Sequence, residues 1–138
     1  MTPHVVSIDG TPRTTTEIDD RPREVPRRKI PKLSSQSLQR IREGLTATVQ
    51  QPYGTAFRTT KLDGVSIAGK TGTAQTAGGR PDHAWFAGYV PADAPRYAFV
   101  VVLEHGGSGS RAAGPVAREV VRKMSSLKLL PKADTPNQ

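Results

Sequence analysis

Seven consecutive residues, Tyr97-Ala-Phe-Val-Val-Val-Leu103, leave this chain few ways to fold. The run is rich in β-branched residues and apolar on both alternating parities. As a strand it needs cover on both faces, which predicts a central, buried position. Two more strand-like runs precede it, Val65–Gln75 and His83–Val90. Gly78-Gly79-Arg80-Pro81 separates the first two and Pro91–Pro95 the second pair; connections this short and polar suit antiparallel hairpins. The sequence therefore predicts a three-stranded antiparallel sheet.

Helical patterns flank it. Ser34–Ser35 or Ser37 offers an N-cap, and Leu38, Ile41, Leu45 and Val49 follow at spacings of three and four, the apolar stripe of an amphipathic helix. Gly44 weakens that helix, and Pro52 ends it near Gln51. Residues 53–64 read as a loop, as do Gly106–Gly109. Gly114-Pro115 then opens a second helix, with Val116, Val120, Met124 and Leu127 as its stripe and Val121 beside them. Upstream, His4–Gly10 reads as a short strand ending in an Asp-Gly turn. Thr11–Lys32, with Pro22, Pro26 and Pro31 among charges, reads as a loop or extended arm. The expected organisation is a strand and charged arm over 1–33, the packed portion over 34–130 and a disordered tail over 131–138.

Composition narrows the function classes. Only 35% of the 138 residues are hydrophobic, with 13 glycines and 12 prolines, and the long apolar runs lie between Leu38 and Met124. An ordered part of roughly 90 residues is of marginal stability without help. The net charge of +8 invites nucleic acid, but the basic residues are scattered, and residues 1–33 hold seven basic against five acidic side chains. Three Phe, three Tyr and one Trp leave little for base stacking. No nucleic-acid partner is expected, although a basic surface also suits an anionic polymer or a membrane. Without cysteine there is no thiolate metal site, and His4, His83 and His105 lie far apart, so no metal or cofactor is expected. No run approaches the length of a membrane span, and the N-terminus has no signal-peptide core.

The most informative tetrapeptide is Lys70-Thr71-Gly72-Thr73, inside the first strand. Lys-Thr-Gly accompanies Ser-x-x-Lys and Ser-Asp-Asn in penicillin-binding proteins and class A β-lactamases. Alone the triplet is weak; its surroundings carry more. Gly54-Thr55-Ala56 follows the first helix, and the strand reads Ile67-Ala-Gly-Lys-Thr-Gly-Thr-Ala-Gln75. Then come His83-Ala-Trp-Phe-Ala-Gly-Tyr-Val-Pro91, the apolar strand, a Gly-rich loop and a Pro-started helix. From about Gln36 to Met124 the pattern resembles the C-terminal part of the transpeptidase domain of class B penicillin-binding proteins, the peptidoglycan transpeptidases of cell elongation and division. The resemblance implies an α/β (α+β) fold, a partial serine β-lactamase/transpeptidase-like architecture with an antiparallel sheet and flanking helices.

The strand's chemistry agrees with that family. Gly69 and Gly72 weaken a strand interior unless another backbone approaches closely, as a peptide laid along an open sheet edge does. Thr71 and Thr73 alternate onto one side and present two hydroxyls. Alternation points Lys70 the other way, so its stem must bend around the edge to share their site. The resemblance implies substrate binding by Lys70, Thr71, Gly72 and Thr73. Lys70, Thr71 and Thr73 hold the carboxylate of a stem peptide's D-Ala-D-Ala end, or that of a β-lactam. Lys70 also joins the catalytic hydrogen-bond network, and the Thr73 backbone N–H forms half of an oxyanion hole. The implied reaction is acyl transfer through a serine ester, with a lysine activating the nucleophile. His83, Trp85 and Phe86 are expected to pack rather than catalyse. Gly106–Ser110 lacks the Gly-Lys-Ser/Thr of a phosphate cradle.

Two motifs that the resemblance calls for, Ser-x-x-Lys and Ser-x-Asn upstream of Lys-Thr-Gly, are missing. The single asparagine is Asn137, and the one Ser-x-x-Lys string, Ser125-Ser-Leu-Lys128, lies downstream of the strand and reads as coincidence. The chain is thus expected to be inactive alone and to start at an internal methionine of a membrane-anchored parent whose domain lies outside the cytoplasmic membrane. One sheet face, covered in the family by the nucleophile-bearing helix, is expected to stay exposed or to meet another chain such as the complementary N-terminal half. The rivals are a non-catalytic cell-wall or protein-binding module and a basic nucleic-acid-binding domain. D,D-carboxypeptidases and β-lactamases share the Lys-Thr-Gly-type strand, and the His83–Pro91 run favours the transpeptidases.

Overall fold

The computed structural model describes residues 33–130 together with the short strands β1 (Val5–Val6) and β2 (Pro12–Arg13). It divides into two units, Met1–Lys32 and Leu33–Gln138. In the first, β1 and β2 pair antiparallel, Val5 opposite Arg13 and Val6 opposite Pro12. β1 falls within the strand expected at His4–Gly10, and β2 lies in the segment read as an arm. The rest of that arm and the tail over 131–138 lie outside the described residues.

The second unit begins with α1 (Ser35–Gln50), capped by Ser34, whose Oγ accepts the Ser37 N–H at 3.0 Å. The helix stops at Gln51, extended at φ −96° and ψ 143°, as a residue before proline prefers. The chain folds straight back on the helix end. The Ala56 N–H donates to the Thr48 carbonyl at 3.1 Å, and Gly54 lies so close to the Ala47 and Thr48 carbonyls that a Cβ would overlap them. A one-turn helix, α2 (Phe57–Thr60), follows within the segment expected to be a loop.

Three strands come next, β3 (Ala68–Ala74), β4 (His83–Val90) and β5 (Tyr97–Leu103), antiparallel in the order β3-β4-β5. β4 and β5 occupy the expected spans; β3 starts later than Val65, because a turn bridges Leu62 and Val65 first. A π-helical turn (Gly109–Ala113) runs directly into α3 (Gly114–Ser126), with Pro115 in its first turn.

Alternation gives the sheet two unlike faces. Ala84, Phe86 and Val90 of β4 and Val101 of β5 point to one side, where they form a core with Val49 of α1 and Ala117 and Val121 of α3. Phe86 is fully buried and stacks on Phe99 at 5.8 Å between ring centres. Its ring lies over Gly69, where an added Cβ would come 2.5 Å from Cζ. Burying such a side chain contributes about 2–3 kcal/mol.

The opposite face carries Trp85, Val100 and Val102, which are 40%, 60% and 43% exposed. Here the expectation for β5 fails. It is an outer strand of the sheet, and only its Val101 side is buried. Its all-apolar sequence specifies cover on a second face that no described element supplies. The exposed face itself is as expected. The helix stripes are also narrower than the periodicity predicts. Ile41 is 51% exposed, and in α3 Gly114, Ala117 and Val121 are buried while Val116, Val120 and Leu127 face outward. α3 packs by its small residues, because the Gly114 carbonyl accepts the buried Thr60 hydroxyl at 3.2 Å and a Cβ at Gly114 would meet Thr59 and Thr60.

Candidate functional site

β3 lies at the border of the sheet, paired with β4 on one side, Lys70 opposite Ala87 and Thr73 opposite Ala84. Thr71 and Thr73 share the parity of Phe86 and Ala84, and Lys70 has the other. The lysine nevertheless reaches around the border. Its Nζ donates to the Thr71 carbonyl at 2.7 Å and approaches the Thr71 Oγ1 at 3.5 Å. This resolves what alternation left open, since the four-carbon stem is long enough to bring the ammonium beside the Thr71 hydroxyl.

Backbone direction follows from the neighbours. A Cβ at Gly109 would run into the Gly72 carbonyl oxygen and come 2.8 Å from that of Trp85, residues directly opposed across β3 and β4. Both carbonyls therefore lie in the seam between the strands. In an antiparallel ladder the amide and carbonyl of one residue point to the same side and alternate along the strand. The backbone groups of Thr71 and Thr73 thus face the free border, consistent with the Thr71 carbonyl accepting from Lys70. That border presents an ammonium, two hydroxyls and two outward amides within four residues. Chemically, such a set of donors can hold an anion.

Two hydroxyl partners were not singled out as functional in the sequence. Thr55 Oγ1 lies 3.2 Å from Thr71 Oγ1, so the Gly54-Thr55-Ala56 turn delivers a hydroxyl to the strand. Gly109 donates its backbone N–H to Thr73 Oγ1 at 3.2 Å. Thr55 had a signal in its Gly-Thr-Ala setting; Gly109 had none beyond a Gly-rich loop, because its role depends on the sheet beneath it. As expected, Phe86 is core, while Trp85 lies on the exposed face. Ser125 and Lys128 stay at the end of α3, joined by the Lys128 N–H to the Ser125 carbonyl at 2.9 Å. A groove of about 450 Å3 between α1 and the turn after β4 contains none of residues 70–73. Among the described residues no group of three His, Asp or Glu is placed to hold a metal ion.

The sequence model of the penicillin-binding protein transpeptidase domain matches residues 1–124. The chain belongs to that family. Among its curated relatives is the peptidoglycan D,D-transpeptidase MrdA of Haemophilus influenzae, 33% identical over 135 residues. That match takes in 87% of this chain and 20% of the relative. The PbpA transpeptidase of Mycobacterium tuberculosis is 38% identical over 68 residues, 44% of this chain and 14% of the relative. Of solved structures, Pseudomonas aeruginosa PBP2 in complex with WCK 5153 superposes with a TM-score of 0.67 and 31% identity, over 94% of this chain and 26% of that one. The PBP2–MreC complex from Helicobacter pylori gives a TM-score of 0.64 and 33% identity, over 71% and 19%. The chain is thus a class B penicillin-binding transpeptidase domain segment spanning about a fifth of the H. influenzae relative.

Proposed function

We propose that this chain supplies the substrate-gripping strand of a peptidoglycan D,D-transpeptidase and does not catalyse alone. In this assignment Lys70, Thr71 and Thr73, with Gly72 between them, hold the terminal carboxylate of a D-Ala-D-Ala stem peptide or the carboxylate of a β-lactam. The Thr73 N–H points at the carbonyl oxygen that becomes an oxyanion. Donors already aimed where charge develops are the largest contribution a strand of this kind can make to acyl transfer. The nucleophile and its activating lysine would come from a complementary portion bearing Ser-x-x-Lys and Ser-x-Asn, in a parent whose domain lies outside the cytoplasmic membrane. Among the described residues no helix is long and apolar enough to cross a membrane.

The observation that carries the proposal is the reach of Lys70 Nζ to the Thr71 carbonyl at an outer strand. Fluorescent penicillin provides the test. The chain alone should take no covalent label; a label would show a nucleophile of its own. A chimera in which residues 34–124 replace the matching stretch of the H. influenzae MrdA transpeptidase should be acylated. Lys70→Ala in that chimera should slow acylation by about 10²-fold, the scale of one lost transition-state donor. Undiminished labelling by the alanine variant would end the assignment of Lys70.

A further inference from the structure

The segment after β5 crosses the end of the sheet and is tied down at three points. The His105 N–H donates to His83 Nδ1 at 3.0 Å, the Gly107 N–H to the Asp82 carbonyl at 2.7 Å, and the Gly109 N–H to Thr73 Oγ1 at 3.2 Å. The third tie governs proton placement. A hydroxyl that accepts from Gly109 still has its own proton to give, so Thr73 remains able to donate to a ligand. The first tie is a histidine, and its chemistry is fixed by its partner. A backbone N–H can only donate, so His83 Nδ1 must be unprotonated. The neighbouring ring has the opposite requirement. His105 Nδ1 faces the Pro81 carbonyl at 2.9 Å and must carry a proton.

The two rings lie 4.8 Å apart, and His105 sits at φ 54°, a left-handed conformation uncommon outside glycine. His105 can take up a second proton without losing its bond. His83 cannot, because a protonated Nδ1 confronts the His105 N–H donor to donor. The other charged side chains on the elements meeting there are Lys70 of β3, Asp82, whose carboxylate accepts the Thr76 N–H at 3.3 Å, Arg80 in the β3–β4 turn, Glu104 beside His105, and Arg111 of the π-helical turn.

We propose that His83 is a positioning residue: its neutral imidazole latches the 105–109 strap, the strap's Gly109 amide orients the Thr73 hydroxyl, and protonation of His83 releases both. The inference deepens the carboxylate-gripping role proposed for Thr73 and rests on it for its functional consequence. The latch itself is a property of the free chain. Histidine is the side chain that most readily takes up a proton near neutral pH, so acidification is the natural means of opening the latch.

Nuclear magnetic resonance of the 15N-labelled full chain tests it without substrate. Near pH 8 the imidazole correlations should show His83 as the Nε2–H tautomer. Protection of the His105 and Gly109 amides from exchange, corrected for intrinsic rates, should fall by roughly tenfold on acidification to pH 5, the scale of one lost hydrogen bond. His83→Asn places a non-titrating acceptor near the Nδ1 position and should keep that protection at both pH values. His83→Ala should lack it at both, with the Val101 amide in β5 as the control for intact fold. An Nδ1–H tautomer for His83, or Gly109 protection indifferent to pH in wild type and Asn variant alike, overturns the latch. In the MrdA chimera, wild-type His83 should show a loss of penicillin acylation on the acid side, and His83→Asn should remove it. A latch seen by exchange with no such difference in acylation would instead count against the role given to Thr73.

Discussion

At the scale of single residues, the two glycines of β3 look alike in sequence and are not alike in space. A Cβ at Gly69 would meet the Phe86 ring at 2.5 Å and the Ala87 carbonyl at 2.7 Å, whereas one at Gly72 meets only Trp85 Cβ at 3.3 Å. Gly69→Ala should therefore destabilise by about 1–3 kcal/mol, the range for overpacking a filled core, and Gly72→Ala by less than about 1 kcal/mol. Urea denaturation of the two variants measures the difference, and equal losses would contradict the packing described. The room at Gly69 is thus used by the protein's own aromatic ring. The sequence could show that something approaches the strand, but not what. Asp93 offers a second check. The Ser66 hydroxyl donates to its carboxylate at 2.6 Å, and this bond, with the Asp93 and Ala94 backbone amides, holds its pKa below the usual 3.8. A depressed carboxylate pKa stabilises the fold above the unfolded value and loses that contribution as pH falls through the folded one. Ser66→Ala should raise the Asp93 titration midpoint, followed by carboxyl carbon chemical shift, toward 3.8.

At the scale of elements, most of what periodicity and breakers predict is present. α1, β4, β5 and the start of α3 fall where spacing, Pro52 and Gly114-Pro115 put them. Within the second unit, what escaped are α2 and the π-helical turn, both too short for periodicity to register. Each exists through a distant partner, Thr60 on Gly114 and Gly109 on the Gly72–Trp85 pair. The candidate site divides the same way. Lys70, Thr71 and Thr73 are legible because the donor set lies in one strand; Thr55 and Gly109 reach it across 16 and 36 residues of sequence. α1 carries an element-scale prediction of its own. Gly44 stands inside the helix with nothing within 4 Å of where a Cβ would lie. Gly44→Ala should then stabilise the chain by about 0.5–1 kcal/mol through backbone entropy and helix propensity alone. A loss of stability in thermal melts would mean that the glycine serves a contact not seen here.

At the scale of the whole molecule, the sequence asks for more burial than the described elements provide. Trp85 is directly opposite Val102, and Ala87 opposite Val100, so the exposed side of β4 and β5 forms one apolar patch beside an outer strand. Such a patch, next to an apolar strand border, favours association with whatever offers a matching surface. In the absence of a partner, a second copy of the chain is the surface at hand. Sedimentation velocity of the pure chain should show concentration-dependent self-association, and a dye specific for exposed apolar surface should bind. Replacing Val100 and Val102 together with threonine keeps β-branching while adding a polar atom to each. Because both positions are solvated, this should change stability by no more than about 0.5 kcal/mol each. The same change should weaken association by about tenfold or more, since each valine that loses apolar contact at an interface forgoes about 1.5 kcal/mol or more. A chain that stays monomeric at high concentration and binds no dye would show that the patch is already covered. The all-apolar pattern of Tyr97–Leu103 would then find its second cover within the chain itself, and the need for a complementary portion would lose its physical basis.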